Sequence, residues 1–140
     1  MRYLLDVNVL VALAWEDHAH HSLASSWFSR KRNTGFSTCP ITQAAFVRIS
    51  SNSRVIPDAL PVPIAIDLLE GYTALPEHEF WPDDLTLREA IPPDRRLTGY
   101  RQITDMYLIG LAAAHSGMVA TFERAMLIAG GGQELVELIE

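Results

Sequence analysis

The sequence contains a single cysteine, Cys39. No intramolecular disulfide can form, and a small domain without disulfides is typical of a reducing compartment. The sequence also lacks any apolar run approaching the ~20 residues that span a bilayer. Its first residues reach Asp6 after only a short apolar stretch, which does not fit a signal peptide. We therefore expect a soluble, cytoplasmic protein with no membrane contact.

Positive charge is scarce as well. The chain has 11 Lys and Arg against 17 Asp and Glu, for a net charge of −6. This balance argues against a protein that grips nucleic acid over its whole surface, because nonspecific phosphate binding usually requires a basic domain. It leaves a nuclease open, since carboxylates that hold a metal add to the negative total while the bound cation attracts phosphate.

The composition that remains is that of an ordinary globular domain. Hydrophobic residues make up 49% of the 140 positions and charged residues 20%, unlike the low hydrophobicity and high charge of disordered chains. The length lies in the commonest range for one domain. No internal repeat or low-complexity tract interrupts it, so we predict a single domain over residues 1–140.

The hydrophobic pattern predicts alternating strands and helices. Strands are predicted at 2–5, at 36–39, around Phe80 and Trp81, at 118–122 and, at an edge, at 134–139. Helices are predicted at 7–15, from about 18 to 32 with Asp17 as its cap, from Pro40, from Pro63 to about 72, and at 103–115. Residues 51–62 and 85–101 are predicted to be irregular, and the glycines at 130–132 a hinge. This order indicates an α/β fold with a mostly parallel sheet covered on both faces.

Ligands of an open parallel sheet bind beyond the carboxyl ends of its strands. The polar residues after the predicted strands, together with one acid in the first turn of the long helix, are Asp6, Asn8, Thr42, Gln43, Asp105, Thr121 and Glu123. Hard cations such as Mg²⁺ prefer oxygen ligands and usually take one or two carboxylates while keeping several waters. Asp6, Asp105 and Glu123 therefore form a candidate Mg²⁺ site for phosphodiester hydrolysis, which needs no protein nucleophile.

Each of these acids also has an ordinary structural explanation. Asp6 could cap the helix at 7–15, Asp105 could interact with a helix dipole, and Glu123 could be a solvated turn residue. The histidines at 18, 20 and 21 are interpreted as solvated rather than as metal ligands. The basic cluster at 30–32 is interpreted as a helix end, and Cys39 as a small buried side chain.

Several motifs resemble one known family when taken together. They are YLLDVNVLVAL at the start, CPITQAAFVRISSN in the middle, FWPDD, and ITDMYLIGLAAAHSGMVATFER near the end. In this order and spacing they resemble the PIN domains, and among these the VapC toxins of bacterial toxin–antitoxin pairs. The resemblance covers nearly the whole chain.

The resemblance implies a three-layer α/β/α fold, Mg²⁺ or Mn²⁺ held by acids, and endonucleolytic cutting of structured RNA such as tRNA or rRNA. It also implies a homodimer and an antitoxin whose C-terminal segment wraps the toxin. Asp6 and Asp105 match the family's first and third acids. Asn8 and Thr104 match polar neighbours that support those acids.

Two positions depart from the family pattern. Glu123 stands where the family commonly has Asp, which keeps the charge, and Gln43 stands where it commonly has Glu, which removes one. Glutamine can ligate a cation through its carbonyl oxygen but cannot act as a base. The leading hypothesis is therefore an endoribonuclease toxin in which Gln43 orients water or substrate. The alternative is a catalytically weakened module that binds RNA and antitoxin.

Overall fold

The computed structural model describes residues 1–93, 99–132 and 134–140. The strands of this part are β1 (Tyr3–Leu5), β2 (Phe36–Thr38), β3 (His78–Phe80), β4 (Met118–Thr121) and β5 (Val136–Leu138). The α-helices are α1 (Val7–Ala14), α2 (His21–Lys31), α3 (Pro40–Ser50), α4 (Val62–Thr73), α5 (Leu87–Ala90), α6 (Ile103–Ala114) and α7 (Arg124–Ala129). Strand and helix alternate through most of the chain, as the sequence predicts.

The strands form one sheet in the order β3-β2-β1-β4-β5. Every pairing in it is parallel, and Tyr3 of the central strand lies between Phe36 of β2 and Met118 of β4. All carboxyl ends therefore meet at one edge of the sheet. Because β1 and β4 are neighbours, the residue after Leu5 and those after Thr121 emerge side by side.

The two faces of the sheet carry separate apolar layers, because successive side chains of a strand point to opposite faces. Tyr3 and Leu5 pack with α1, α2, Phe46 of α3 and Leu69 of α4. Leu4, on the other face, packs with the buried side of α6 and with Met126 of α7. The predicted three-layer α/β/α architecture is confirmed.

The second helix begins later than predicted. Residues 15–20 form turns in which the His18 N–H donates to the Trp15 carbonyl and the His21 N–H to the His18 carbonyl. The helix starts at His21 with His20 at the N-cap position, so Asp17 does not cap it. Because these tight turns satisfy the backbone hydrogen bonds locally, the helix does not begin near His18, where the sequence predicts its start.

The helix α7 was not predicted. It has only six residues, and its one fully buried side chain is Met126. A helix this short carries no periodic signal and is stabilised by tertiary burial rather than by intrinsic propensity. Part of the predicted irregular segment 85–101 falls on residues 94–98, outside the described residues; before it, α5 is held by a capping box between Thr86 and Glu89. No described helix is long and apolar enough to span a membrane.

Candidate active site

Asp6 lies directly after β1, where its main chain still belongs to the sheet: its N–H donates to the Ala120 carbonyl at 3.0 Å. The side chain is 6% exposed. One carboxylate oxygen accepts from the Val7 N–H at 2.8 Å and the other from the Thr121 hydroxyl at 2.7 Å. Asp6 thus caps α1, as its ordinary explanation proposed. Its carboxylate also lines the small cavity where the other acids meet.

Burial raises the pKa of Asp6, while the hydrogen bond from Thr121 lowers it and the charge of Glu123 raises it further. A carboxylate taken out of water is costly unless it is paired. No described Lys, Arg or His lies within ion-pair distance of it. Asp6 is therefore a buried acid held by neutral donors alone, which is more than a helix cap requires.

Asp105 lies in the first turn of α6 and is half-buried. Burial raises its pKa from the ordinary 3.8 to about 6, and the charges of Asp6 and Glu123 add to the rise. In the first turn of the helix, its negative charge interacts favourably with the helix dipole. It also lines one cavity with Asp6 and Glu123, so α6 delivers this acid to the ends of β1 and β4.

Thr121, the last residue of β4, connects the parts of the site. Its hydroxyl donates to Asp6 and accepts from the Asn8 amide at 3.3 Å and from the Glu123 N–H at 3.0 Å. The hydroxyl is fully buried and makes every bond its geometry allows. The sequence placed Thr121 at a strand end but gave it no role. The sequence feature that could have indicated its role is the small hydroxyl residue directly before Phe122 and Glu123.

Glu123 lies at the N-cap position of α7 without a side-chain cap bond, and its side chain is exposed. It lines a cavity of about 130 Å³ with Asp6, Asp105 and Thr104. Asn8 lies beside this cavity, where its amide contacts Thr121 and its carbonyl oxygen lies 3.5 Å from the Phe122 nitrogen. The predicted acids, Thr104 and Asn8 are thus brought to one place.

Gln43 is oriented differently. Its side-chain amide donates to the Thr38 hydroxyl at 3.0 Å, and that hydroxyl lies 2.7 Å from Nε2 of His78. The neighbouring Thr42 lines the acidic cavity, whereas Gln43 borders an open groove of about 660 Å³ between α3 and α4. In this arrangement Gln43 is not a member of the acid cluster.

The cluster suits a hard cation by its donor chemistry, because three carboxylates face one cavity without a described positive charge. Among the described residues, no group of three His, Cys, Asp or Glu side chains is placed so that all three could hold a metal ion together. Mg²⁺ usually keeps several waters and needs only one or two carboxylates. Asp6 and Asp105, with Glu123 at the rim, are the residues that could hold it.

The remaining polar residues singled out in the sequence lie elsewhere. The ring of His21 bonds the Ala12 carbonyl at 2.8 Å, so this histidine supports the α1–α2 connection. Lys31 and Arg32 pair with Glu137 and Glu77, which fits the interpretation of this cluster as a helix end. Cys39 is fully buried at the start of α3, as predicted.

Comparison with known proteins identifies the family. The sequence model of the PIN domain matches residues 3–130. The chain belongs to the PIN-domain family. The resemblance on which the sequence prediction depended is confirmed.

Curated relatives place this PIN domain among those of the VapC type. It is 45% identical over 127 residues to Ribonuclease VapC39 of Mycobacterium tuberculosis, covering 90% of this chain and 91% of that protein. It is 42% identical over 120 residues to Ribonuclease VapC38 of the same species, covering 86% and 84%. Ribonuclease VapC44 is 42% identical over 129 residues.

A solved structure supports the fold of this PIN domain independently. VapBC2 from Rickettsia felis, crystallised with a DNA fragment from its promoter, superposes with a TM-score of 0.67 over 100% of both chains. The two sequences are only 13% identical. The match therefore extends to the fold alone, and the α/β/α architecture is shared despite almost complete divergence of sequence.

Proposed function

We propose that this PIN domain is a metal-dependent endoribonuclease and the toxin of a VapBC-type toxin–antitoxin pair. The observation that carries the proposal is the convergence of Asp6, Asp105 and Glu123 on one cavity with no described cation beside them. The names of the 39–45% identical relatives, all called ribonucleases, support the same activity.

Bound Mg²⁺ or Mn²⁺ would supply an activated water and would neutralise charge on the phosphate that is attacked. Asp6 and Asp105 would hold the cation, and Thr121 fixes the orientation of Asp6 through a 2.7 Å hydrogen bond. Glu123, at the exposed rim of the cavity, would add negative charge to the site. No serine, cysteine or histidine nucleophile is needed.

The substrate proposed is structured RNA such as tRNA or rRNA. EDTA-sensitive fragmentation of a purified tRNA pool tests this, comparing the parent with Asp105→Asn. Cleavage that EDTA abolishes and that Asp105→Asn lacks is the expected result. Cleavage that persists in EDTA, or equally in the variant, would remove the metal mechanism.

The proposed partners are a VapB-type antitoxin and a second copy of the chain. The structural neighbour is a VapBC2 assembly, and here α4 exposes the apolar side chains Val62, Ile64 and Ile66. Such exposed apolar area is typical of protein contacts. An antitoxin Arg or Lys would pair with the uncompensated acids. Light scattering tests the dimer, and co-expression with the adjacent small reading frame tests the antitoxin.

The second candidate function is an RNA- and antitoxin-binding module with weak catalysis. Gln43 favours it, because glutamine cannot act as a base and its side chain donates to Thr38 instead of lining the acid cavity. RNA binding by anisotropy without metal-dependent fragments would support this candidate, whereas EDTA-sensitive cleavage would rule it out.

A further inference from the structure

The imidazole of His20 lies stacked on the ring of Phe122, with the ring centroids 4.9 Å apart and the planes inclined by 24°. Phe122 directly precedes Glu123, and its nitrogen lies 3.5 Å from Oδ1 of Asn8. In the sequence, the ring pair is therefore one residue from Glu123 of the acid cluster. It is not part of the cavity lining and has no role in the mechanism proposed above.

Local structure does not account for the side chain of His20. The residue occupies the N-cap position of α2, where Ser, Thr, Asp or Asn would satisfy a free N–H group. Its side chain makes no cap hydrogen bond. Within the described residues its ring nitrogens have no hydrogen-bond partner, in contrast to the neighbouring His21, which bonds Ala12 and Ser25. A position that departs from the local capping preference is a candidate for function.

The pair has an anchored ring and an open ring. Phe122 is half-buried and packs against the apolar layer beneath α1 and α2. His20 is exposed and covers it. The half-buried ring of His18 lies 5.8 Å from the ring of His20 and is tilted by 44° relative to it. Of these three rings, that of His20 is the exposed one.

We propose that the His20–Phe122 pair is a stacking platform for an unpaired RNA base adjacent to the phosphate held at the acid cluster. Proteins that recognise single-stranded RNA stack unpaired bases on Phe, Tyr, Trp or His rings. Stacking tolerates any base, because every base has a π-face. The platform therefore selects unpaired or flipped nucleotides over duplex RNA, and it rests on the proposed endoribonuclease function.

The chain offers a matched control in His115. This histidine is also exposed and also stacked, on Trp81, with centroids 4.4 Å apart and planes inclined by 8°. It lies at the far end of α6 from Asp105, about 15 Å away at 1.5 Å per helical residue. Its loss should affect stability but not contact with RNA.

The test compares His20→Ser, His20→Tyr and His115→Ser. Two readouts are taken in Mg²⁺: kcat and KM for cleavage of a short single-stranded RNA, and fluorescence of 2-aminopurine placed at successive positions, recorded by stopped flow before cleavage. We expect His20→Ser to raise KM about tenfold, the usual size for loss of one stacking ring, with kcat nearly unchanged. The quench at one position should vanish with it.

The variants separate stacking from folding. Serine is a better N-cap than histidine, so the melting temperature of His20→Ser should not fall even though KM rises. His20→Tyr should restore both KM and quench, and His115→Ser should leave them at the parent value. An unchanged KM for His20→Ser, or equal effects of His20→Ser and His115→Ser, would overturn the platform.

The outcomes also distinguish this proposal from the proposed function. If the parent cleaves RNA and His20→Ser does so with the same KM, the endoribonuclease stands and the platform fails. If the parent does not cleave, the quench decides: a quench that is lost in His20→Ser and kept in His20→Tyr supports the platform without catalysis. No quench at any position of the parent's RNA overturns it.

Discussion

The two edges of the sheet treat charge in opposite ways. At the amino edge Arg32 contacts both carboxylate oxygens of Glu77, at 3.1 and 3.2 Å, and Arg2 lies 3.6 Å from Glu79. At the carboxyl edge Asp6, Asp105 and Glu123 share a cavity with no described cation. At the amino edge these charges are paired without a ligand. At the carboxyl edge the three negative charges have no positive partner among the described residues.

The pKa shifts follow this difference. Arg32 and hydrogen bonding lower the pKa of Glu77, whereas burial and like charges raise the pKa of Asp105 to about 6. A lowered carboxyl pKa means that the folded state favours the charge, and a raised one means that it opposes it. Raised carboxyl pKa values are common where a protein binds a cation or performs catalysis.

Replacing Asp105 by Asn should give the largest effect and should change stability and activity in opposite directions. Cleavage should fall by at least ~10²-fold, because a ligand of the cation is lost. Stability in EDTA should rise by about 1 kcal/mol, a figure reduced for the partial solvation of this side chain. Stopped assays and urea melts measure the two effects.

Asp67→Asn is the matched control, since Asp67 is an exposed acid on α4, away from the cavity. It should leave both cleavage and stability at the parent value. Added Mg²⁺ should raise the melting temperature of the parent and of Asp67→Asn by linkage, but not that of Asp105→Asn. An equal rise in all three proteins would place the cation elsewhere.

The pH dependence of stability should separate the two edges next. Because the folded pKa of Asp105 is about 6 against an ordinary 3.8, its contribution is fully present below the lower value and is lost as pH rises through about 6. His18 and His78 oppose this trend, since burial lowers their pKa values. The difference in stability between parent and Asp105→Asn isolates the acid.

That difference should be near zero at pH 4 and should widen toward pH 7 in EDTA, with Asp105→Asn the more stable protein at the higher pH. Parallel denaturation curves from acid to neutral pH measure it. A difference independent of pH would show that the carboxylate is not destabilised by its neighbours.

The difference in charge between the two edges of the sheet could be predicted from the sequence only in part, and the reasons are geometric. Asp6, Asp105 and Glu123 could be found because strand ends converge in any parallel sheet. The role of Thr121 could not be found, because it depends on three hydrogen bonds that appear only when α1 and α7 are in place. Gln43 was predicted for the site, whereas Thr42 lines the cavity. The sequence could not decide between them, since adjacent helical residues point about 100° apart and the rotation of α3 decides which faces the cavity.

At the amino edge Glu77→Gln should have a smaller effect, confined to stability. Loss of the pair with Arg32 should lower the urea midpoint slightly, with metal affinity and cleavage unchanged. Because the pKa of Glu77 is lowered, the contribution is present above its ordinary value and is lost as pH falls through the folded one. High salt should weaken it further. A drop in cleavage would mean that the two edges are coupled.

Gln43→Glu should have the smallest effect, and it tests whether the carboxyl edge has a missing member. A base contributes 10²- to 10⁴-fold only within ~3 Å of the water it activates. Gln43 instead donates to Thr38, whose hydroxyl also bonds His78. Glutamate would accept from Thr38, and His78 could then donate to that hydroxyl, so the network survives with its polarity reversed. We therefore expect Mg²⁺-dependent cleavage to rise by less than about tenfold, with stability nearly constant.

Gln43→Ala is the control, since it removes the contact to Thr38 without adding charge and should lower stability alone. A rise of a hundredfold or more in a time course would show that a carboxylate at position 43 turns into the acid cavity, and that glutamine there is what restrains the enzyme.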